Sequence, residues 1–446
     1  MKIFLGMFNI SSLYQEYVKG FTALGHEVFS VDFMPAENII NDEYTSLQVP
    51  NFIRLKMEEE NTSDPARQEY WSDYCAKWAW QKAMEADLCF FMWLTFTHDN
   101  RDLAWLKNAG KKIVVRFIGT ESRVAELDEQ FNALHGRAHT DYSLSRGWEE
   151  LAQKIHYVRS AEKYADLILG PSTLSLRPNY HDFFTIDYSG IPFDPMPREI
   201  PVLLHAPSST ATKGTQEWQR IFAQLAGQGL KFEPRLVQEM EHNEFLKEYA
   251  KADIHCGGLY IGGKAELEAL AGGAVPLAAS AKWPPDGSSV GGYIRELTSI
   301  TAQALGLDKN SPEFARIHQI KREYCQGNSD YFSLVQHVTP QSAADVLRYF
   351  ILNPEKRYRQ AVAGREFIEK YCSPQRRCAE ILDMLANPDS AESQAKLWNF
   401  DFFHKKYRPR QDAKWLDILN KGTATVRDCQ WYKQYIKPLS RDGLLF

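Results

Sequence analysis

Several chemistries are excluded by what this 446-residue chain does not contain. It has no Asp-x-Asp triplet, so it lacks the carboxylate pair with which single-domain enzymes chelate a metal-bound nucleotide sugar. No Gly-x-Gly-x-x-Gly follows the first apolar segment, which argues against a dinucleotide dehydrogenase, and no His-Glu-x-x-His offers a zinc site. The seven cysteines (Cys75, Cys89, Cys256, Cys325, Cys372, Cys378 and Cys429) are scattered, odd in number and free of Cys-x-x-Cys pairs. That distribution excludes a disulfide framework and fits a reducing compartment. No apolar run is long enough to cross a bilayer: Leu88–Phe96 falls well below the roughly 18 residues required. Met1–Phe8 is too short for a signal peptide and lacks a small-residue cleavage site, so a cytoplasmic location is expected. Charge of either sign is not in large excess. With 52 basic against 57 acidic side chains, the net −5 gives no global reason to bind nucleic acid or an anionic membrane.

What is present is the composition of an ordinary globular protein, 44% hydrophobic and 24% charged, at a length that favours two cores over one. Apolar runs alternate with helical periodicity. Lys2–Phe8 reads as a strand, Ser11–Leu24 as a helix, and Gly25-His26 as the turn into a strand over Glu27–Phe33. A polar stretch covers Pro35–Pro65; Trp71, Tyr74, Cys75 and Trp78 then recur at helical spacing, read as core in preference to a sugar-stacking platform. Strands are expected over Leu88–Phe96, Lys112–Ile118 and Ala165–Gly170, with helices over Leu103–Asn108 and Ser145–Tyr164 between them.

The pattern restarts after the proline-punctuated segment Ile191–Pro197. Strands over Val202–His205, Glu233–Val237, Ala252–Cys256 and Val275–Ala279 alternate with helices from Thr215, over His242–Lys251 and from Lys264; the chain after Pro340 is helical to about Ala386. Such alternation implies parallel, doubly wound sheets with right-handed crossovers. The expected fold is therefore α/β, with two Rossmann-like domains, residues 1–195 and 196–390, and an extension over 391–446. From Lys396 onward that extension carries eleven Lys/Arg against five Asp/Glu, interleaved with aromatics. It is expected to pack back on the body, with docking on an acceptor, a membrane surface or a partner left open.

Val202–Thr215 is the clearest chemical signal. An apolar run ends in Ser208, Ser209 and Thr210, and Lys213-Gly214 opens a helix; unsatisfied N–H groups, the helix dipole and a lysine converge where an anion would sit. A second such place is Gly258-Leu-Tyr-Ile-Gly-Gly263-Lys264-Ala265. It matches a phosphate loop as far as the lysine, but Ala265 lacks the hydroxyl that would hold magnesium, which disfavours an NTPase. Gly262 and Gly263 still offer backbone N–H groups at a helix start.

Taken together these residues resemble the GT-B glycosyltransferases, closest to their family 4-type group. The resemblance is carried by the Lys213-Gly214 helix start, by Tyr249-Ala-Lys-Ala-Asp253, by the glycine loop, and by Glu268-Ala-Leu-Ala-Gly-Gly-Ala-Val-Pro276. Gly25-His26-Glu27-Val28 and Gly119-Thr-Glu121-Ser-Arg123 extend it toward the N-terminus. It implies two domains facing across a cleft and transfer of a sugar from a nucleoside diphosphate sugar to an acceptor hydroxyl on a surface glycan, lipid-linked sugar or protein, retaining and without a metal or cofactor. Lys213 would contact the diphosphate with Ser208, Ser209 and Thr210 nearby, Gly262 and Gly263 would offer N–H groups, Lys264 an added charge, and Glu268 would accept from the ribose. His98 lies where the family places a functional histidine. Asn9, Ser11, Gly119, Glu121 and Arg123 are candidates for lining the acceptor side. The family's first glutamate of Glu-x7-Glu is Tyr260 here. A nucleotide-sugar epimerase and a non-catalytic GT-B binding module are the alternatives, with peripheral membrane contact open and no nucleic-acid partner expected.

Overall fold

The computed structural model describes residues 1–34, 45–97, 99–119, 121–122, 148–170, 177, 179–180, 185–207, 210–238, 240, 242–260, 263–279 and 289–398. His98, Arg123, Ser208, Ser209 and Gly262 lie outside the described residues, as does the side chain of Ser11 and the extension from 399. The described chain divides into two compact units, one formed by residues 1–122, 148–180 and 375–398, the other by 185–374.

The first unit is built on parallel strands β1 (Lys2–Met7), β2 (Glu27–Asp32), β3 (Leu47–Gln48), β4 (Leu88–Met92), β5 (Lys112–Arg116), β6 (Leu167–Leu169) and β7 (Asn179–Tyr180) in the order β3-β2-β1-β4-β5-β6-β7. Strand order reverses between β1 and β4, where Ile3 pairs with Leu88 and Met7 with Met92. Helices α1 (Leu13–Ala23), α2 (Val49–Glu59), α3 (Pro65–Glu85), α4 (Arg101–Asn108) and α5 (Trp148–Tyr164) fill the connections. The polar stretch Pro35–Pro65 holds, among its described residues, a short strand and α2, which sets Phe52 and Ile53 against the core. Helix α3 starts where Asp64 accepts from the Ala66 N–H (3.0 Å) and Pro65 takes the first turn.

The expected strand over Leu88–Phe96 stops at Met92. Trp93 adopts a left-handed φ of 70°, and the buried Asp102 accepts from Thr95 Oγ1 (2.9 Å), Phe96 N–H (2.8 Å) and Thr97 Oγ1 (2.7 Å). Three bonds to one carboxylate fold residues 95–97 back onto the start of α4, so apolar content there reports burial rather than strand.

The second unit carries β8 (Val202–His205), β9 (Glu233–Leu236), β10 (Ile254–Cys256), β11 (Val275–Ala278) and β12 (Gln336–His337), all parallel, in the order β12-β11-β10-β8-β9. Its helices are α6 (Thr210–Lys213), α7 (Thr215–Gly227), α8 (His242–Tyr249), α9 (Lys264–Gly272), α10 (Val290–Ala304), α11 (Pro312–Leu334), α12 (Ala343–Leu352) and α13 (Pro354–Tyr371). Successive strand residues face opposite layers: Leu203 and Leu277 join Trp218 and Leu347 on one side, while Leu204 and Ala278 join Tyr249, Leu267 and Phe367 on the other. Both faces are thus covered, as a parallel sheet requires. The α/β class with two doubly wound sheets is the one expected.

The grouping of the chain departs from a division at residue 195. Ile186 and Ile191 belong to the second unit's core, and Arg365 donates to the carbonyls of Ile191 (3.3 Å) and Ala271 (2.9 Å) while stacking over Tyr188 and Phe193. The proline-rich segment is therefore bound to the second unit along its length. At the other end, α14 (Pro374–Ala386) joins the first unit from Gln375: Arg377 donates to Tyr180 Oη (2.9 Å) and to Glu380 (2.8 Å). Helix α15 (Ala391–Lys396) follows, and the strand Leu397–Trp398 pairs antiparallel with β7. All six described cysteines are buried and free.

Candidate functional site

In the second sheet the order reverses between β8 and β10, and in sheets of this kind ligands bind beyond the carboxyl ends of the two strands flanking that point. The chain leaving β8 makes the one-turn helix α6, ends it at Lys213, and enters α7 through Gly214 in a left-handed conformation (φ 70°, ψ 41°). A Cβ on Gly214 would lie 3.1 Å from Leu259 and 3.3 Å from the Tyr260 ring, so glycine is required there by conformation and by space. The loop leaving β10 is fastened to this turn. Leu259 N–H donates to the Lys213 carbonyl (3.3 Å), and the fully buried Trp218 donates its indole N–H to the Gly257 carbonyl (2.8 Å).

Beneath the turn sits His205, the last residue of β8. Its Nδ1 lies 2.6 Å from the Cys256 carbonyl, which only accepts, so Nδ1 carries the proton and Nε2 accepts from the Thr215 hydroxyl at 2.9 Å. Burial, reinforced by the charge of Lys213, holds the imidazole below its ordinary pKa against the favourable carbonyl contact. The neutral ring thereby fixes the first residue of α7 at the point where its N–H groups are unsatisfied. His255 on β10 is buried too; neither ring nitrogen reaches a hydrogen-bond partner of good geometry, and burial lowers its pKa to about 3, with His205 and Lys213 adding to the shift.

Two carboxylates face this cationic side from α9. Glu266, 1% exposed, receives the Gly263 N–H on Oε2, while no described residue donates to its buried Oε1. A Cβ on Gly257 would approach Oε1 to 2.7 Å, so the glycine makes room for the carboxylate. Burial raises the pKa of Glu266, with the Lys213 ammonium opposing that rise. Glu268, 5% exposed, holds its Oε1 3.1 Å from His242 Nε2 and 3.4 Å from Lys264 Nζ. Burial alone would raise its pKa, but Lys264 and His242 outweigh it and the net shift is downward, so Glu268 is a carboxylate. Both donors converge on Oε1; no described residue donates to Oε2.

The structure thus brings Lys213, Lys264 and Glu268 to one end of one sheet, and adds His205, Thr215, His242 and Glu266. Two assignments change in detail. The Gly263 N–H, expected to face phosphate, is donated to Glu266, whose carboxylate reaches back to cap the start of α9. Lys264, expected as an added charge at the phosphates, is buried one turn from Glu268 and forms an ion pair with it (3.4 Å), which speaks against the phosphate-loop reading. Thr210 is exposed at the first position of α6. Tyr260, where the resemblance expects a glutamate, is half-buried against the core beside Leu259. Asp253 serves the fold, accepting from Val202 N–H (2.9 Å) and Arg198 (3.2 Å).

In the first unit Asn9, Gly119 and Glu121 are engaged locally. Glu121 turns inward and caps the end of β5, accepting from the N–H groups of Ile118 and Gly119. Asn9 accepts from Tyr14 N–H (3.0 Å), capping α1, and donates its own N–H to Asp32 (3.0 Å). The aromatic stripe on α3 is divided: Trp78 packs edge-on to Phe29, whereas Tyr74 stacks on Phe52 and is 47% exposed.

Two Rossmann-like units in one chain are the architecture of the GT-B class that the sequence resemblance implied. Solved structures similar to this chain include the spinosyn forosaminyltransferase SpnP (11% identity, TM-score 0.39, covering 86% of this chain and 99% of that one). Another is the catalytic domain of starch synthase IV from Arabidopsis thaliana bound to ADP and acarbose (9% identity, TM-score 0.46, 86% and 98%). A third is S. aureus MnaA in a co-structure with UDP (10% identity, TM-score 0.41, 87% and 96%). No protein-family model and no curated protein matches the sequence. The chain's own residues carry the function proposed next.

Proposed function

We propose that this chain is a glycosyltransferase whose second unit binds a nucleoside diphosphate sugar at the carboxyl ends of β8 and β10 and delivers the sugar to an acceptor hydroxyl. The observation that supports this reading is that Lys213, the start of α7 and the buried Glu268 lie at the same strand-order reversal. A cation and free N–H groups suit a diphosphate, and an oriented carboxylate suits ribose hydroxyls.

Departure of the diphosphate builds negative charge on its oxygens as the sugar carbon becomes cationic. In this reading Lys213 and the α7 dipole would stabilise that charge, and preorganised donors of this kind are worth about 3 kcal/mol each in the transition state. We read the reaction as metal-independent, with that lysine and dipole in the role a metal would fill. Retention, which the resemblance implies, is read from the anomeric configuration of the product. The acceptor would be a glycan, lipid-linked sugar or protein in the cytoplasm.

The test is a thermal-shift panel of nucleoside diphosphates and their sugars, with and without divalent metal, on wild type and Lys213→Ala. A ligand at 100 times its Kd should stabilise wild type by about 2.7 kcal/mol. Lys213→Ala should weaken binding roughly tenfold to a hundredfold, as expected for a lost charge-assisted hydrogen bond. It should also abolish donor hydrolysis. Indifference of wild type to the whole panel would defeat the proposal, and acceptor-independent isomerisation of the donor would identify an epimerase instead.

A further inference from the structure

Glu268 is held asymmetrically. Its Oε1 is hydrogen-bonded to His242 Nε2 at 3.1 Å and lies in an ion pair 3.4 Å from Lys264 Nζ, whereas no described residue donates to Oε2. The two donors reach it from different directions. Lys264 lies one turn earlier on α9, a local pair that any helix with this spacing forms. His242 is 26 residues away, the first residue of α8, and meets Glu268 because α8 packs against α9. That packing is close: a Cβ on Gly272 would come within 2.4 Å of Tyr249 Cβ, so glycine at 272 lets the two helices approach.

We propose that His242 is a positioning residue for the nucleotide: it clamps one oxygen of Glu268 so that the other is presented, fixed and ionised, to the vicinal hydroxyls of a ribose. A glutamate side chain has three rotatable bonds, and Lys264 on the same helix restrains the carboxylate along the helix axis only. The histidine adds a second anchor from a neighbouring helix and leaves Oε2 a single orientation. A vicinal diol offers two O–H donors to such an oxygen, a 2′-deoxyribose one fewer, so the clamp converts a buried charge into discrimination between the two sugars. The inference rests on the donor-site reading above and assigns within it a residue that no motif in the chain marks.

The experiment measures Kd by calorimetry for UDP, ADP and GDP, each against its 2′-deoxy counterpart, on wild type, Lys213→Ala, His242→Ala and His242→Gln. Wild type should prefer at least one ribonucleotide by about tenfold, the size of one hydrogen bond to a charged group. Lys213→Ala should weaken ribo and deoxy forms alike and leave their ratio unchanged. His242→Ala should bring the ratio below about threefold, and His242→Gln, whose amide N–H can still donate, should restore most of it. A residue that only supported the fold would shift ligand-free thermal midpoints and weaken both nucleotides equally, so an unchanged ratio in His242→Ala overturns the proposal. A collapsed ratio that His242→Gln fails to restore overturns it as well. If no nucleoside diphosphate binds wild type, the donor-site reading fails and takes this one with it; binding that Lys213→Ala weakens, with no ribose preference in wild type, leaves that reading standing and sinks the clamp alone.

Discussion

Gly214→Ala tests the construction of the site at its narrowest point. The residue sits at φ 70°, where an alanine costs about 1–2 kcal/mol relative to glycine. Its new methyl group would lie 3.1 Å from two Leu259 carbons and 3.3 Å from the Tyr260 ring, forcing the β10 loop outward by tenths of an ångström. Overpacking of that size adds about 1 kcal/mol, and the reduced freedom of the unfolded chain returns roughly half of it. The net loss is about 2 kcal/mol, which in a domain of 150–250 residues lowers Tm by roughly 4–8 °C. Gly227 provides the internal control. It closes the same helix, α7, with open space around its Cβ position, so Gly227→Ala should be neutral or stabilising by up to about 1 kcal/mol. Scanning fluorimetry of the two variants, with and without a bound nucleoside diphosphate, gives both readouts. Gly214→Ala should lose stability and ligand response together, because Lys213 and Thr215 flank the strained residue. Equal midpoints for the two variants would refute the steric and conformational reasoning, since they share helix, chemistry and added volume and differ only in φ and neighbours.

Three further outcomes are expected. His255 has a folded pKa near 3 against an ordinary 6.5, so it is neutral in both states above pH 6.5; below that the unfolded chain gains a proton that the folded one refuses. Stability should fall by about 2 kcal/mol between pH 7 and pH 5 from this group alone, and in urea titrations His255→Phe, which packs against Tyr249 without an unpartnered nitrogen, should flatten that slope. Glu380 behaves in the opposite sense. Burial raises its pKa, but Arg377 and the Tyr180 hydroxyl outweigh it and the net shift is downward, so its contribution is present above the ordinary carboxylate range and vanishes as pH falls through the depressed folded value. Wild type and Glu380→Gln should therefore differ in Tm at pH 6 and converge toward pH 3; a gap independent of pH would show that the charge is not what Arg377 reads. Arg365→Ala removes two bonds to carbonyls and two ring contacts that bind the proline-rich segment, and should cost about 2–3 kcal/mol by urea denaturation while exposing residues around 191–197 to proteolysis.

Much of the second unit was legible because its signals are local. Val202–His205 and the start of α7 at Thr215 fall where the apolar run and the Lys-Gly pair put them, since a buried parallel strand and a glycine-entered helix each announce themselves within a few residues. The strand over Leu88–Phe96 was overdrawn because Asp102, which bends residues 95–97, acts from outside the run. Helix α11 left little trace, because it carries polar residues through much of its length and is set by what it packs against. Glu266 had a faint signature, a glutamate three residues after the glycine that opens α9, the spacing at which its carboxylate reaches back to the N-cap N–H.

The sequence by itself determined the class of the fold, the alternation that makes two parallel sheets, and the chemical types gathered near residues 205–215 and 263–268. Those follow from periodicity and from residues close together in the chain. Only the tertiary structure decided that the proline-rich segment belongs to the second unit and that His242 meets Glu268. Each of these depends on which faces two elements turn to one another. Helix packing fixes such angles through small residues such as Gly272 and through buried charges that must find partners, and neither appears in the spacing of the residues that meet.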